Sequence, residues 1–167
     1  MVHNLGRGGA GAFALAFVLA VLPGCDGQAA EERPVPRFVS LRSDEVNLRA
    51  GPGTDYPVDW VLTRRAWPVE VIAEYDQWRR IRDVDGSVGW VHQAMLSGDR
   101  TVIVIDGVQV LRAEPDEDAA PRLRAEAGVV GSLITCRTEW CQVEIADVKA
   151  WAPRAHLFGI LPDETFE

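Results

Sequence analysis

The sequence predicts an all-β protein of two tandem small β-barrels with five to six short strands each. Two observations carry this: an internal repeat of about 62 residues, and, within each copy, short β-branched and aromatic runs punctuated by turn residues. Leu48-Arg49-Ala50 returns as Leu111-Arg112-Ala113, a shift of 63. Trp78 and Ile81 return as Trp140 and Val143, a shift of 62, and Gly89-Trp90-Val91 returns as Ala150-Trp151-Ala152, a shift of 61. The ends agree as well, because residues 93–98 align with residues 154–159. A unit of this size with short strands buries its apolar faces best by closing on itself, which also removes exposed edges.

In chain order, residues 1–25 read as an export signal: Arg7 supplies a positive charge, Ala10 to Leu22 are nearly all apolar, and Pro23-Gly24-Cys25 closes the run. That apolar run of 13 residues is shorter than the roughly 20 a spanning helix needs. Cleavage is therefore expected, with a retained membrane anchor as the alternative. Leu22-Pro23-Gly24-Cys25 resembles the lipobox of bacterial lipoproteins, which implies a lipid on Cys25; proline at the second position departs from the usual small residue. A plain cleavage site after Ala29 or Ala30 is the rival. Residues 26–37 are polar and proline-bearing and read as a flexible tether. The expected location is the periplasm or cell envelope, with membrane contact through the lipid.

The first copy spans residues 38–98, with strands expected at 38–41, 45–49, 60–62, 68–73, 77–82 and 87–91. In Glu45-Val46-Asn47-Leu48-Arg49 strict alternation buries Val46 and Leu48. Asp85-Gly86 marks a hairpin, since glycine accepts the positive φ a tight turn demands. Ala50 to Pro57 is too rich in Gly and Pro for a strand and reads as a projecting loop. The second copy spans residues 101–160, and residues 161–167 form a tail.

Composition removes several functions. The chain carries 17 basic and 25 acidic residues, a net charge of −8, so nothing drives sequence-independent binding to nucleic acid. Of three histidines only His92 and His156 lie beyond the leader, too few for a histidine-based metal centre, and no metal or other cofactor is expected. No serine-hydrolase elbow, zinc-protease helix or phosphate loop is present, and the chain reads as a non-enzyme. Three cysteines are an odd number for an exported protein. With Cys25 assigned to lipid, Cys136 and Cys141 remain, spaced to face each other across a tight hairpin, and a disulfide is expected there.

Val46-Asn47-Leu48-Arg49-Ala50-Gly51-Pro52-Gly53, Trp78 with Ile81, and Gly89-Trp90-Val91-His92 together resemble the signature of bacterial SH3-like domains. The likeness covers Phe38 to Gly98 closely. The second copy looks like a divergent member, with Glu114 for Gly51, Ala150 for Gly89 and no turn glycine in Ala146-Asp147. The resemblance implies a small β-barrel and a non-catalytic module that binds cell-wall peptides or other envelope proteins. Accessory service to a cell-wall hydrolase and a purely structural spacer are the alternatives.

Candidate ligand contacts lie in the first copy. Tyr56 on the projecting loop, with Trp60 just beyond it, suits stacking against an extended peptide, and Trp78 and Trp90 are expected to lie near this loop. Capping of the barrel end is the competing role for Tyr56 and Trp60. Core packing is the stronger expectation for Trp140 and Trp151. The acidic run Glu114 to Asp118 lacks the spacing of a calcium loop and reads as solvated surface.

Overall fold

The computed structural model describes residues 33–167; the expected export signal, the expected lipid on Cys25 and most of the expected tether lie outside the described residues. Alternation produces the strands. β1 (Arg37–Leu41), β2 (Val46–Arg49), β3 (Val58–Leu62), β4 (Pro68–Tyr75), β5 (Trp78–Arg82), β6 (Val88–His92) and β7 (Leu96–Ser97) form the first copy. The second contains β8 (Thr101–Val104), β9 (Val108–Arg112), β10 (Pro121–Glu126), β11 (Val130–Cys136), β12 (Trp140–Ile145), β13 (Val148–Pro153) and β14 (Leu157–Phe158). Each copy thus has seven strands where five to six were expected. The extra strand is the two-residue closing one, preceded by a single 3₁₀ turn, and two residues carry no readable period.

Both sheets have one topology. The order is β3-β2-β6-β5-β4-β1-β7 in the first and β10-β9-β13-β12-β11-β8-β14 in the second, the same path shifted by seven strands. The pairings are antiparallel throughout, and β-bulges in β2–β3, β4–β5, β9–β10 and β11–β12 bend the sheets so that they curl. Each barrel has its own core. Leu41, Val46, Leu48, Val69, Val71, Ile81 and Val91 fill the first, and Val102, Val104, Leu111, Leu133, Val143 and Ala150 the second.

Gly89 is required by closeness of approach: a Cβ there would meet the Leu48 side chain at 2.6 Å and the Arg49 carbonyl oxygen at 3.0 Å. The second copy has a buried alanine, Ala150, at the equivalent place. The hairpin turns differ as well. Gly86 takes φ +85°, as a turn glycine should, and the Asp83 carboxylate accepts the Ser87 amide at 2.7 Å. In the second copy Ala146 (φ 48°) and Asp147 (φ 63°) both adopt the left-handed region to make a two-residue turn between Ile145 and Val148.

The barrels pack on each other within one compact unit, residues 33–167. Phe38 meets Phe158 edge to face, with ring centroids 5.0 Å apart. The Thr101 hydroxyl donates to the Ala66 carbonyl at 2.7 Å, and Arg64 donates to the Gly128 carbonyl at 3.3 Å. β8 is covered on both faces: Val102 and Val104 belong to the core of the second barrel, and all four of its residues are buried.

The tail after residue 160 is fastened to the second barrel. The Phe166 backbone pairs with Cys136 in both directions, Arg100 lies over the Phe166 ring at 5.2 Å and is ion-paired with Glu164, and Arg154 donates to the Leu161 and Glu164 carbonyls. Cys136 and Cys141 are joined by a disulfide and lie directly opposite in register across β11–β12. At the matching place in the first copy Glu74 faces Arg79 across β4–β5, and the two form an ion pair at 3.2 Å. One position in the repeat is thus cross-linked by charge in one copy and by a covalent bond in the other.

Candidate functional site

The outer face of the first barrel is built by alternation. Leu48, Ile81 and Val91 point inward, so Arg49, Arg80 and Trp90 point outward, and register aligns these three in a row across β2, β6 and β5. One step along, Trp78 lies opposite His92, and the two rings meet edge to face at 5.4 Å. The His92 Nε2 lies 3.0 Å from the Gln77 side-chain oxygen, and its Nδ1 accepts the Ala94 amide at 3.2 Å, capping the 3₁₀ turn. These contacts match the tautomer in which Nδ1 accepts and Nε2 donates.

Arg49 shapes the loop above this face. Its guanidinium donates to the Thr54 carbonyl at 3.1 Å and the Tyr56 carbonyl at 2.7 Å, while the Ala50 amide closes the loop base on the Pro57 carbonyl at 3.1 Å. The second copy repeats the device: Arg112 donates to the Ala119 carbonyl at 2.9 Å, and the Ala113 amide donates to the Ala120 carbonyl at 2.9 Å. The arginine of the Leu-Arg-Ala core is therefore the loop clamp in both barrels. Sequence reasoning passed over this role, although recurrence of the arginine in both copies was its signal. Within the loop the Tyr56 ring lies against Gly51, where a Cβ would come within 2.3 Å of it.

Of the four predicted contact residues the structure brings three to one neighbourhood. Trp78 and Thr54 line a cleft of about 200 Å³ with Asn47, Arg49 and His92. Trp90 is paired with the clamp residue Arg49, and Tyr56 is 47% exposed at the end of the clamped loop. Trp60 stands apart from them. The bulge in β2–β3 registers Trp60 opposite Leu48, on the other side of the sheet from Arg49 and Trp90, where it is 65% exposed. An added residue in one strand reverses the face of its successors, which counting along the loop does not reveal.

The equivalent cleft in the second barrel is larger, about 610 Å³. Trp140 and Pro153, directly opposite in register, take the places of Trp78 and His92, and Leu157 and Ile160 add apolar wall. Trp151 is buried, with the Arg137 guanidinium 5.5 Å from its ring, whereas Trp140 is half-buried and lines the cleft. The two tryptophans for which core packing was expected thus divide: one is covered and the other faces a cavity.

Among solved structures, the chain is similar to NlpC2 from Trichomonas vaginalis (9% identity, TM-score 0.35, covering 75% of this chain and 49% of that one). It is also similar to NlpC1 from the same organism (10% identity, TM-score 0.33, covering 77% and 48%). The chain spans about half the length of those structures. No curated protein matches it. The family described as Bacterial SH3 domain matches residues 42–98 and again residues 106–159, the two barrels found in the structure. With two matched segments and two seven-stranded sheets of one topology, the chain belongs to the bacterial SH3 domain family.

Proposed function

We propose that the protein is an exported, lipid-anchored envelope module that binds an extended peptide and performs no catalysis. Bacterial SH3 domains are generally cell-wall binding modules, typically non-catalytic, and the two copies fit that role. The observation that carries the reading is the outward row Arg49–Trp90–Arg80 with the Trp78–His92 pair beside it, beneath a loop that Arg49 holds open. Half-exposed indoles on a sheet face offer flat apolar surface at low entropic cost, and a peptide lying across them needs only a shallow groove. The ligand is a cell-wall stem peptide or an extended segment of another envelope protein. Tyr56, Trp78 and Trp90 supply the contact, and Trp60 lies outside it.

The test is retention of the purified protein on peptidoglycan sacculi, read with tryptophan fluorescence of free and bound fractions. Saturable retention with a spectral shift is expected, weakened about tenfold by Tyr56→Ala with Trp78→Phe and unaffected by Trp60→Ala, since truncating an aromatic anchor costs more than about 1 kcal/mol. Absence of retention turns the search to a protein partner by crosslinking in the intact envelope. Release of soluble fragments from sacculi by the protein alone overturns the non-catalytic reading.

A further inference from the structure

A wide cleft belongs to the divergent second barrel, and its chemistry is specific. At about 610 Å³ it falls within the range of small-ligand sites, whereas its counterpart in the first barrel, about 200 Å³, does not. Its apolar wall is Trp140, Pro153, Leu157 and Ile160, and its acidic members are Glu117, from the loop clamped by Arg112, and Glu139, from the hairpin turn closed by the disulfide. Among the described residues neither carboxylate is ion-paired, and both are exposed. Arg154, the cation of the cleft, is already committed: its guanidinium donates to the carbonyls of Arg137 (3.0 Å), Thr138 (3.4 Å), Leu161 and Glu164. The surrounding half of the chain is acidic throughout, with six basic against twelve acidic residues from Thr101 to Glu167.

An indole beside two free carboxylates is complementary to a positive charge on an aliphatic stem, because the stem packs on the ring while the cation meets the ring quadrupole and the acids. We propose that the second-barrel cleft binds an extended peptide through a lysine-type side chain, its methylenes on Trp140 and Pro153 and its ammonium toward Glu117 and Glu139. The divergent loop of the second copy is acidic from Glu114 to Asp118 and brings Glu117 to this cleft, so the two barrels read different features of their ligands. This reading does not rest on the first-barrel groove.

The experiment titrates the purified, isotopically labelled protein with the synthetic peptide acetyl-Ala-Leu-Lys-Leu-Ala-amide and follows the Trp140 indole N–H resonance, assigned by its loss in Trp140→Phe. Saturable movement of that resonance is expected. Replacing lysine by norleucine, which keeps the stem and removes the charge, should weaken binding about fivefold, as should Glu117→Gln with Glu139→Gln in the protein, from two exposed charge pairs of modest strength each. Raising salt should weaken the lysine peptide and leave the norleucine peptide unchanged. No saturable movement at Trp140, equal binding of the two peptides, or unchanged affinity in the double glutamine variant overturns the proposal. Retention on sacculi is a separate readout, so failure of the first-barrel reading and failure of this one are told apart.

Discussion

At the scale of single residues, arginine does most of the local organising. Arg49 and Arg112 hold the two loops, Arg154 gathers four carbonyls, and Arg100 joins the connection between barrels to the tail. A planar guanidinium with five donors suits this work, because one side chain can satisfy several carbonyls whose partners lie far apart in sequence. Glu164 depends on the same chemistry. Burial pushes its carboxyl up, but hydrogen bonds from Arg100 and the Leu161 amide, together with the charges of Arg100 and Arg154, outweigh burial and hold it below its ordinary value. A carboxylate lowered on folding stabilises the folded state above its unfolded pKa, and that contribution is lost as pH falls through the folded value. Glu164→Gln should therefore cost about 1 kcal/mol in urea unfolding at pH 7, the charge-assisted bond being partly screened by solvent. The gap to the parent should close below about pH 4. A gap that is the same at pH 7 and pH 3 would assign the loss to packing alone.

At the scale of elements, the two copies solve the same turn differently. Asp85-Gly86 carries its positive φ on glycine, while Ala146 and Asp147 hold two left-handed residues with side chains. Each left-handed non-glycine residue costs on the order of 1 kcal/mol, less for aspartate than for alanine. Substituting Ala146→Asn and Asp147→Gly supplies the pair that such a turn favours. The double variant should raise stability by about 1 kcal/mol, read as a shift in the denaturant midpoint at unchanged slope. A lower midpoint would mean that Ala146 or Asp147 makes a contact outweighing its backbone strain. The disulfide at the other end of β12 belongs to this scale too, since closing a loop of so few residues contributes about 2 kcal/mol through chain entropy and chiefly fixes the hairpin that carries Glu139.

At the scale of the whole molecule, the two barrels behave as one body. β1 and β8 bury residues on both faces, and the Phe38–Phe158 contact and the Thr101 hydroxyl bond bridge the copies. Thermal unfolding should therefore be a single transition. Phe158→Ala with Thr101→Val removes an aromatic contact and a buried hydrogen bond at the junction. The pair should lower stability by about 3 kcal/mol and split the calorimetric transition in two, since each barrel keeps its own core. One unsplit transition in that variant would show that the cores are coupled by more than these contacts. Under the two proposals above, the clefts lie on one compact unit, so their effective concentration for a shared ligand is set by geometry and not by a linker.

The linear sequence determined the all-β class, the two copies, the inward faces of the strands, the loop after Leu-Arg-Ala and the facing of Cys136 and Cys141, because each of these follows from period, spacing or a short-range turn preference. The closing strands of two residues escaped it, being shorter than any period. Tertiary structure alone decided the rest. The bulge in β2–β3 sent Trp60 to the far side of its sheet, since an inserted residue changes register by an amount no local pattern records. The junction between barrels and the fastening of the tail rest on partners distant in the chain, such as Thr101 with Ala66, 35 residues away, and Arg100 with Glu164, 64 away. Whether a tryptophan is covered, like Trp151, or lines a cavity, like Trp140, is a property of what the fold places over it.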